Sequence, residues 1–306
     1  MAAAPGRAAP RLSVILCSHA RPHYLRSCLA GLAEQVGPRD FEILVVDSAS
    51  PPEAARTIAE LAAASGARLL RCDRPGLSLA RNHGLAAAVG GWVAYLADVA
   101  VPEPDWAAAL HARIAALPPG AAALGGRILP SWEAPLPPWW PESLRGVLTI
   151  VEWEGQGELG RDLPEGVEIY GANMAFAAAP LRALGGFPES LGRIGNRLLS
   201  GEEVAVVEAL LAAGHRAFYD GAITVRHSIQ RERLHPAWLL RRLLSQGETD
   251  ALRRPDAGRA LGAAARLAVQ APLLLWPEAS PALLRARCGA AYNFGYLRGK
   301  LAGAPE

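Results

Sequence analysis

Regular patterning begins at Leu12-Ser13-Val14-Ile15-Leu16-Cys17, a short apolar, partly β-branched run that predicts a buried strand. The loop Ser18-His19-Ala20-Arg21-Pro22 follows, and then Leu25, Cys28, Leu29 and Leu32 recur at helical spacing. Gly37-Pro38 punctuates the chain before a second apolar run, Phe41 to Val46, which ends at Asp47. After a Ser/Pro loop, Ile58, Leu61 and Ala62 mark a second helix, and Arg68 to Arg71 a weak third strand. A helix from Ser78 to Ala88 leads through Gly90-Gly91 to the strand Trp92 to Leu96. Strand and helix thus alternate, which predicts an α/β fold with a mostly parallel central sheet flanked by helices. In open sheets of this kind ligands bind beyond the carboxyl ends of the strands. Ser18 to Arg21, Asp47 to Ser50, Asp73 to Gly76 and Ala97 to Ala100 are therefore expected to share one site.

The rest of the chain is patterned differently. Residues 125–170 are rich in Pro, Gly and Trp, and Trp132, Trp139, Trp140 and Trp153 crowd together. That stretch reads either as a packed flap or as stacking surfaces for an acceptor. Regular structure resumes at Tyr170, with a helix expected from Gly201 to Ala213 and a strand from Ala222 to Val225. From His235 the pattern is helical and Arg-rich. The expected organisation is a frayed tail over 1–10, one α/β domain over 11–234 and a C-terminal α-helical extension over 235–306.

Composition narrows the classes. With 51% hydrophobic and 20% charged residues, a packed core is easily supplied. A net charge of +2 argues against a nucleic-acid binder working by bulk electrostatics. Cys17, Cys28, Cys72 and Cys288 show neither C-x-x-C spacing nor histidine clustering, as expected of buried thiols in a reducing compartment. Residues 1–10 lack the apolar core of a signal peptide. Leu267 to Trp276 is apolar but short and contains Pro272, against the roughly 20 residues a membrane span needs. A cytoplasmic location is expected. Arg231, Arg233, Arg241 and Arg242, set beside apolar residues, suit peripheral contact with an anionic membrane as well as a solvated helix on the domain.

Each candidate motif has an ordinary alternative. Gly155 to Gly160 fits G-x-G-x-x-G, but Pro164 opposes the helix that a dinucleotide site requires. Asp47 at a strand end is either a turn former or a carboxylate that accepts hydrogen bonds from a nucleotide. Arg81 lies on a helix for which Ser78 is the expected N-cap, so it faces either a ligand or solvent. Asp98, just past a strand end, is placed to hold a divalent ion, although one carboxylate makes a weak metal site. Ser200-Gly201-Glu202-Glu203 opens a helix; its acids complement the dipole, or one of them is a general base.

In order, these segments resemble family 2 glycosyltransferases. The resemblance rests on Val14 to Pro22, Val45 to Ser50, Gly76 to Gly84 and Tyr95 to Asp98. It continues through Tyr170 to Phe176, Gly185-Gly186-Phe187, Ser200 to Glu203 and Val225-Arg226-His227. It implies a GT-A fold and transfer of a sugar from a nucleotide-diphosphate donor to a hydroxyl acceptor, usually with inversion. The acceptor class stays open: glycan, lipid-linked or small molecule.

By the same resemblance Glu203 is the base and Glu202 its support. Ser18, Arg21, Asp47, Ser48, Arg81 and Asp98 line the donor site, and Asn173, with Trp139 and Trp140, faces the acceptor. A divalent metal, Mn2+ or Mg2+, would be held by Asp98 and His227, the latter matching a histidine that in some relatives helps bind the metal or the pyrophosphate. The chain departs from the family pattern where acids are usual, at Ala97 and Val99, and where Asn is usual, at Ala20. Ser48-Ala49 likewise replaces an Asn-Gly. These departures leave open weak metal dependence, a metal-free mechanism, or a non-catalytic relative that binds a sugar nucleotide or a protein partner.

Overall fold

A computed structural model describes residues 11–194, 198–274 and 281–302. The expected tail over 1–10 and the end of the Leu267 to Trp276 stretch lie outside the described residues. Strands β1 (Leu12–Ser18), β2 (Phe41–Ser48), β3 (Arg68–Cys72) and β4 (Trp92–Ala97) pair in parallel in the order β3-β2-β1-β4. Helices α1 (Pro22–Ala33), α2 (Pro52–Ala64) and α3 (Leu77–Ala87) connect them. Pro22 and Pro52 sit in first turns, where a missing N–H costs no hydrogen bond. The strand period of two sends neighbouring residues of β1 into opposite cores. Val14 and Leu16 pack with Leu25 and Leu29 of α1, whereas Ile15 packs with Ala80 and Leu85 of α3. Burial on both faces explains why β1 and β2 read as apolar runs broken only by Ser13 and Glu42, which hydrogen-bond to each other.

Antiparallel pairing begins where β8 (Asn173–Ala177) joins β4. Beyond it lie β6 (Ala121–Trp132) and the long β9 (Arg216–Ile229), with β5 (Ala100–Pro102) and β7 (Gln156–Glu158) along β9. Helices α4 (Trp106–Ala116), α5 (Ala178–Ala183) and α6 (Glu202–Ala212) complete this half.

Two strands exceed their sequence pattern. The Ala-Ala-Ala-Leu-Gly-Gly start of β6 has little strand propensity, and partners on both sides hold it extended instead. Only Ala222 to Val225 of β9 stands out because charged residues interrupt the rest. Those charges are paired, Arg216 with Glu158, Asp220 with Arg113 and Arg226 with Glu103. The glycine motif at 155–160 forms β7 and a turn, without the helix N-terminus that a dinucleotide site needs behind it.

The C-terminal helices α7 (Pro236–Arg253), α8 (Ala257–Leu274) and α9 (Pro281–Ala302) pack together. The α7 helix also covers a third core, in which Trp140, Leu148, Ile150 and Ile229 meet Trp238, Leu239 and Leu243. Among the described residues no helix is long and apolar enough to cross a membrane.

Candidate active site

A cavity of about 560 Å³ opens at the carboxyl ends of β1 and β4, between them, the start of α6 and the inner side of α7. Arg21, Arg81, Asp98, Glu202, Glu203 and His227, all singled out by sequence, line it together.

Glycine sets the acidic corner. Gly201 takes φ +81°, a left-handed conformation that turns the chain sharply into α6 and brings Glu202 and Glu203 to the cavity wall. It is the N-cap of α6. Glu203 Oε1 accepts from the Gly171 N–H at 3.3 Å, while its Oε2 is buried with no hydrogen-bond partner. Gly171 also lets the backbone approach closely, because a Cβ there would lie 2.4 Å from Arg81 Nη2. Arg81 is buried, donates from Nη1 to Glu202 Oε1 at 2.6 Å and stacks 5.2 Å from the Phe187 ring centre. Burial, and then the charge of Glu203, push the Glu202 carboxyl up to about 7 against the pull of Arg81. The expected cap role of Ser78 also fails: Gly76 precedes α3, and Ser78 Oγ donates to the Leu191 carbonyl.

At the other end Asp98 is fully enclosed. Its Oδ2 accepts from Ser18 Oγ at 2.8 Å and its Oδ1 pairs with Arg21 Nη2 at 2.7 Å. Burial raises its pKa, opposed first by Arg21. His227, on β9 opposite Ala100, is 3% exposed, and its Nδ1 has no partner. Burial, and then Arg233, Arg193 and Arg21, hold its pKa well below the ordinary histidine value.

The remaining expected residues stand apart from the cavity lining. Asp47 accepts from the Ser50 N–H at 3.0 Å and is ion-paired with Arg71, and Ser48 Oγ accepts from the Gly76 N–H at 3.2 Å. Asn173 is buried and fully occupied, accepting from Trp106 Nε1 at 3.0 Å and donating to the Arg127 and Ile223 carbonyls. Trp140 belongs to the third core, with Trp139 packed against it. Three arginines that sequence reasoning did not assign to the site do line it: Arg193, Arg233 and Arg242. For Arg233 and Arg242 the signal is arginine amid apolar residues, which suits membrane contact and a solvated helix equally; Arg193 carries none.

A mixed sheet with its cavity at the strand carboxyl ends is the arrangement of the GT-A fold. The model for glycosyl transferase family 2 matches residues 13–140. The glucosyl-dolichyl phosphate glucuronosyltransferase of Haloferax volcanii is 26% identical over 243 residues, covering 78% of this chain and 75% of that one. Among solved structures, the Pyrobaculum calidifontis mannosyltransferase in complex with GDP-Man and Mn2+ superposes with a TM-score of 0.62 at 21% identity. That alignment covers 95% of this chain and 87% of the other. Residues 1–349 of S. aureus TarS in complex with UDP give 0.56 at 18% identity, over 93% and 89% of the two chains. Residues 13–140 thus match glycosyl transferase family 2, and the fold is that of GT-A glycosyltransferases.

The donor set at Asp98 fits a divalent cation poorly. Among the described residues no three His, Cys, Asp or Glu side chains gather as metal ligands. The one carboxylate is already neutralised by Arg21, and the field of three arginines that depresses His227 would repel a cation too.

Proposed function

We propose that the protein is a hexosyltransferase that moves a sugar, with inversion, from a nucleoside-diphosphate donor to an acceptor hydroxyl, with Glu203 as general base. One observation carries this reading: a buried carboxylate oxygen, Glu203 Oε2, has no partner and lines the cavity while its twin is fixed by the Gly171 N–H. A carboxylate so held can accept a proton without reorganising. Glu203 removes the acceptor's proton while that oxygen attacks the anomeric carbon from the face opposite the departing nucleoside diphosphate. Glu202 has an unpartnered Oε2 as well, but its Oε1 is tied to the Arg81 guanidinium, and it takes the supporting role at the helix start. The relative's name, with its dolichyl phosphate, supports a lipid-linked glycan as the acceptor class.

The test is a mass-spectrometric screen of UDP-, GDP- and dTDP-sugars with short-chain lipid-linked acceptors, using wild type and Glu203→Gln. Transfer by the wild type and a loss of roughly 10²- to 10⁴-fold in the variant are expected. Full activity in Glu203→Gln removes the base assignment, and turnover of no donor removes the function.

A further inference from the structure

Eight arginines and six carboxylates line the cavity. Five of those arginines are matched by lining carboxylates: Arg21 with Asp98, Arg81 with Glu202, Arg253 and Arg254 with Glu208, and Arg259 with Asp250. Arg193, Arg233 and Arg242 have no carboxylate within ion-pair distance among the described residues. Arg233 is only 7% exposed, and its guanidinium lies 5.8 Å from the Trp238 ring centre. Arg242 Nη2 donates to Ser200 Oγ at 2.9 Å and to Gln246 Oε1 at 2.8 Å, but its Nη1 is buried with no partner. Arg193 sits in a loop docked on α3, where its carbonyl accepts from the Leu77 N–H at 3.0 Å.

Burying guanidinium groups beside one another without counter-charge is unfavourable unless an anion arrives to share them. Their titration shows the crowding. Burial and mutual repulsion push Arg233 down to about 9 and Arg242 to about 10, and Arg193 in the same direction. Asp98 faces Arg21, Arg193 and Arg233 together, too little negative charge for three cations. What would balance them is a compact ligand with more than one negative charge and several acceptor oxygens. The planar guanidinium fork suits phosphate oxygens.

We propose that Arg193, Arg233 and Arg242 form the seat of the donor's diphosphate and carry its charge in place of a divalent cation. This rests on the glycosyltransferase reading for the identity of the ligand, but the seat itself is an anion site that needs neither sugar nor base. Arginine then stabilises the leaving group as it departs, which a single ion-paired aspartate could not do.

Calorimetric titration of inorganic pyrophosphate, with UDP and GDP as competitors, in EDTA and again with Mn2+, tests it. Pyrophosphate is expected to bind equally tightly in both, to be displaced by at least one nucleoside diphosphate, and to weaken roughly ten- to a hundredfold in Arg233→Gln and in Arg193→Gln. Arg161→Gln, at an exposed position, should change nothing. Both cavity variants should melt no lower than wild type without ligand, since each loses an unpaired cation; a lower melting point would make these arginines structural. Binding only when Mn2+ is present overturns the proposal. So does displacement of pyrophosphate by an alkyl phosphate but by neither nucleotide, which would give the site to a lipid phosphate. Metal-free pyrophosphate binding without sugar transfer would sink the enzymatic reading and leave the anion seat standing. Transfer that strictly needs Mn2+ would do the reverse.

Discussion

The two sides of the cavity handle charge in opposite ways. On the sheet side every cation has its acid: Arg21 meets Asp98 and Arg81 meets Glu202, both pairs with a nearly inaccessible carboxylate. On the side built from the loop after α5, the turn at 231–234 and α7, Arg193, Arg233 and Arg242 face the same space without one. A matched buried pair holds its shape whether or not ligand is present, but losing one partner strands a charge. An unmatched cation spends folding stability in order to bind something. The difference separates residues that build the site from residues that wait for its ligand, which burial alone does not do.

The largest effect expected from breaking this contrast is at Arg81. Arg81→Met should cost about 3–5 kcal/mol at pH 8, read from urea unfolding, because it leaves Glu202 buried and uncompensated. A loss below about 1 kcal/mol there would erase the distinction between the two sides.

A slightly smaller effect is expected from pH. The carboxyl of Glu202 is raised in the folded protein from 4.5 to about 7, so the native state holds that proton more tightly than the unfolded chain. Its contribution is fully present below about pH 4.5 and is lost as pH rises through about 7, amounting to at most about 3 kcal/mol. Relative to wild type, Glu202→Gln should therefore gain stability between pH 4.5 and 7.5 in thermal melts. Parallel melting curves would return Glu202 to an ordinary titration.

The smallest effect concerns two turns on the sheet side. Ala20 and Ala49 both take φ near +54°, a left-handed conformation that costs a residue with a Cβ about 1 kcal/mol or more. Ala49→Gly should stabilise by about 1 kcal/mol, less the entropy glycine gives back to the unfolded chain. Calorimetric melting would show it, and a drop in stability would mean the turn is not strained. These are the positions where the family pattern carries Asn or an Asn-Gly, residues that tolerate this conformation.

Much of the sheet side was legible before any coordinates. The short, partly β-branched apolar runs at Leu12 to Cys17 and Phe41 to Val46 read as strands covered on both faces, and their alternation with helices points to a site at their carboxyl ends. The acidic pair at Glu202 and Glu203 is visible in sequence as chemistry, and the helix expected from Gly201 does begin at the turn Gly201 makes. Asn173 shows the opposite case. Its motif was readable, but only the fold shows that Trp106 and two carbonyls take up its amide.

By itself, then, the sequence determined the α/β order and the residues able to act as acid, base or anion binder, because those follow from local period and residue type. Tertiary structure decided which of them meet. Arg193 and Arg242 are 49 positions apart, and arginine looks the same in sequence whether solvated, paired or waiting for a ligand. Only packing, by removing water and withholding a carboxylate, distinguishes these states, since the cost of an unpaired charge arises when the chain closes over it.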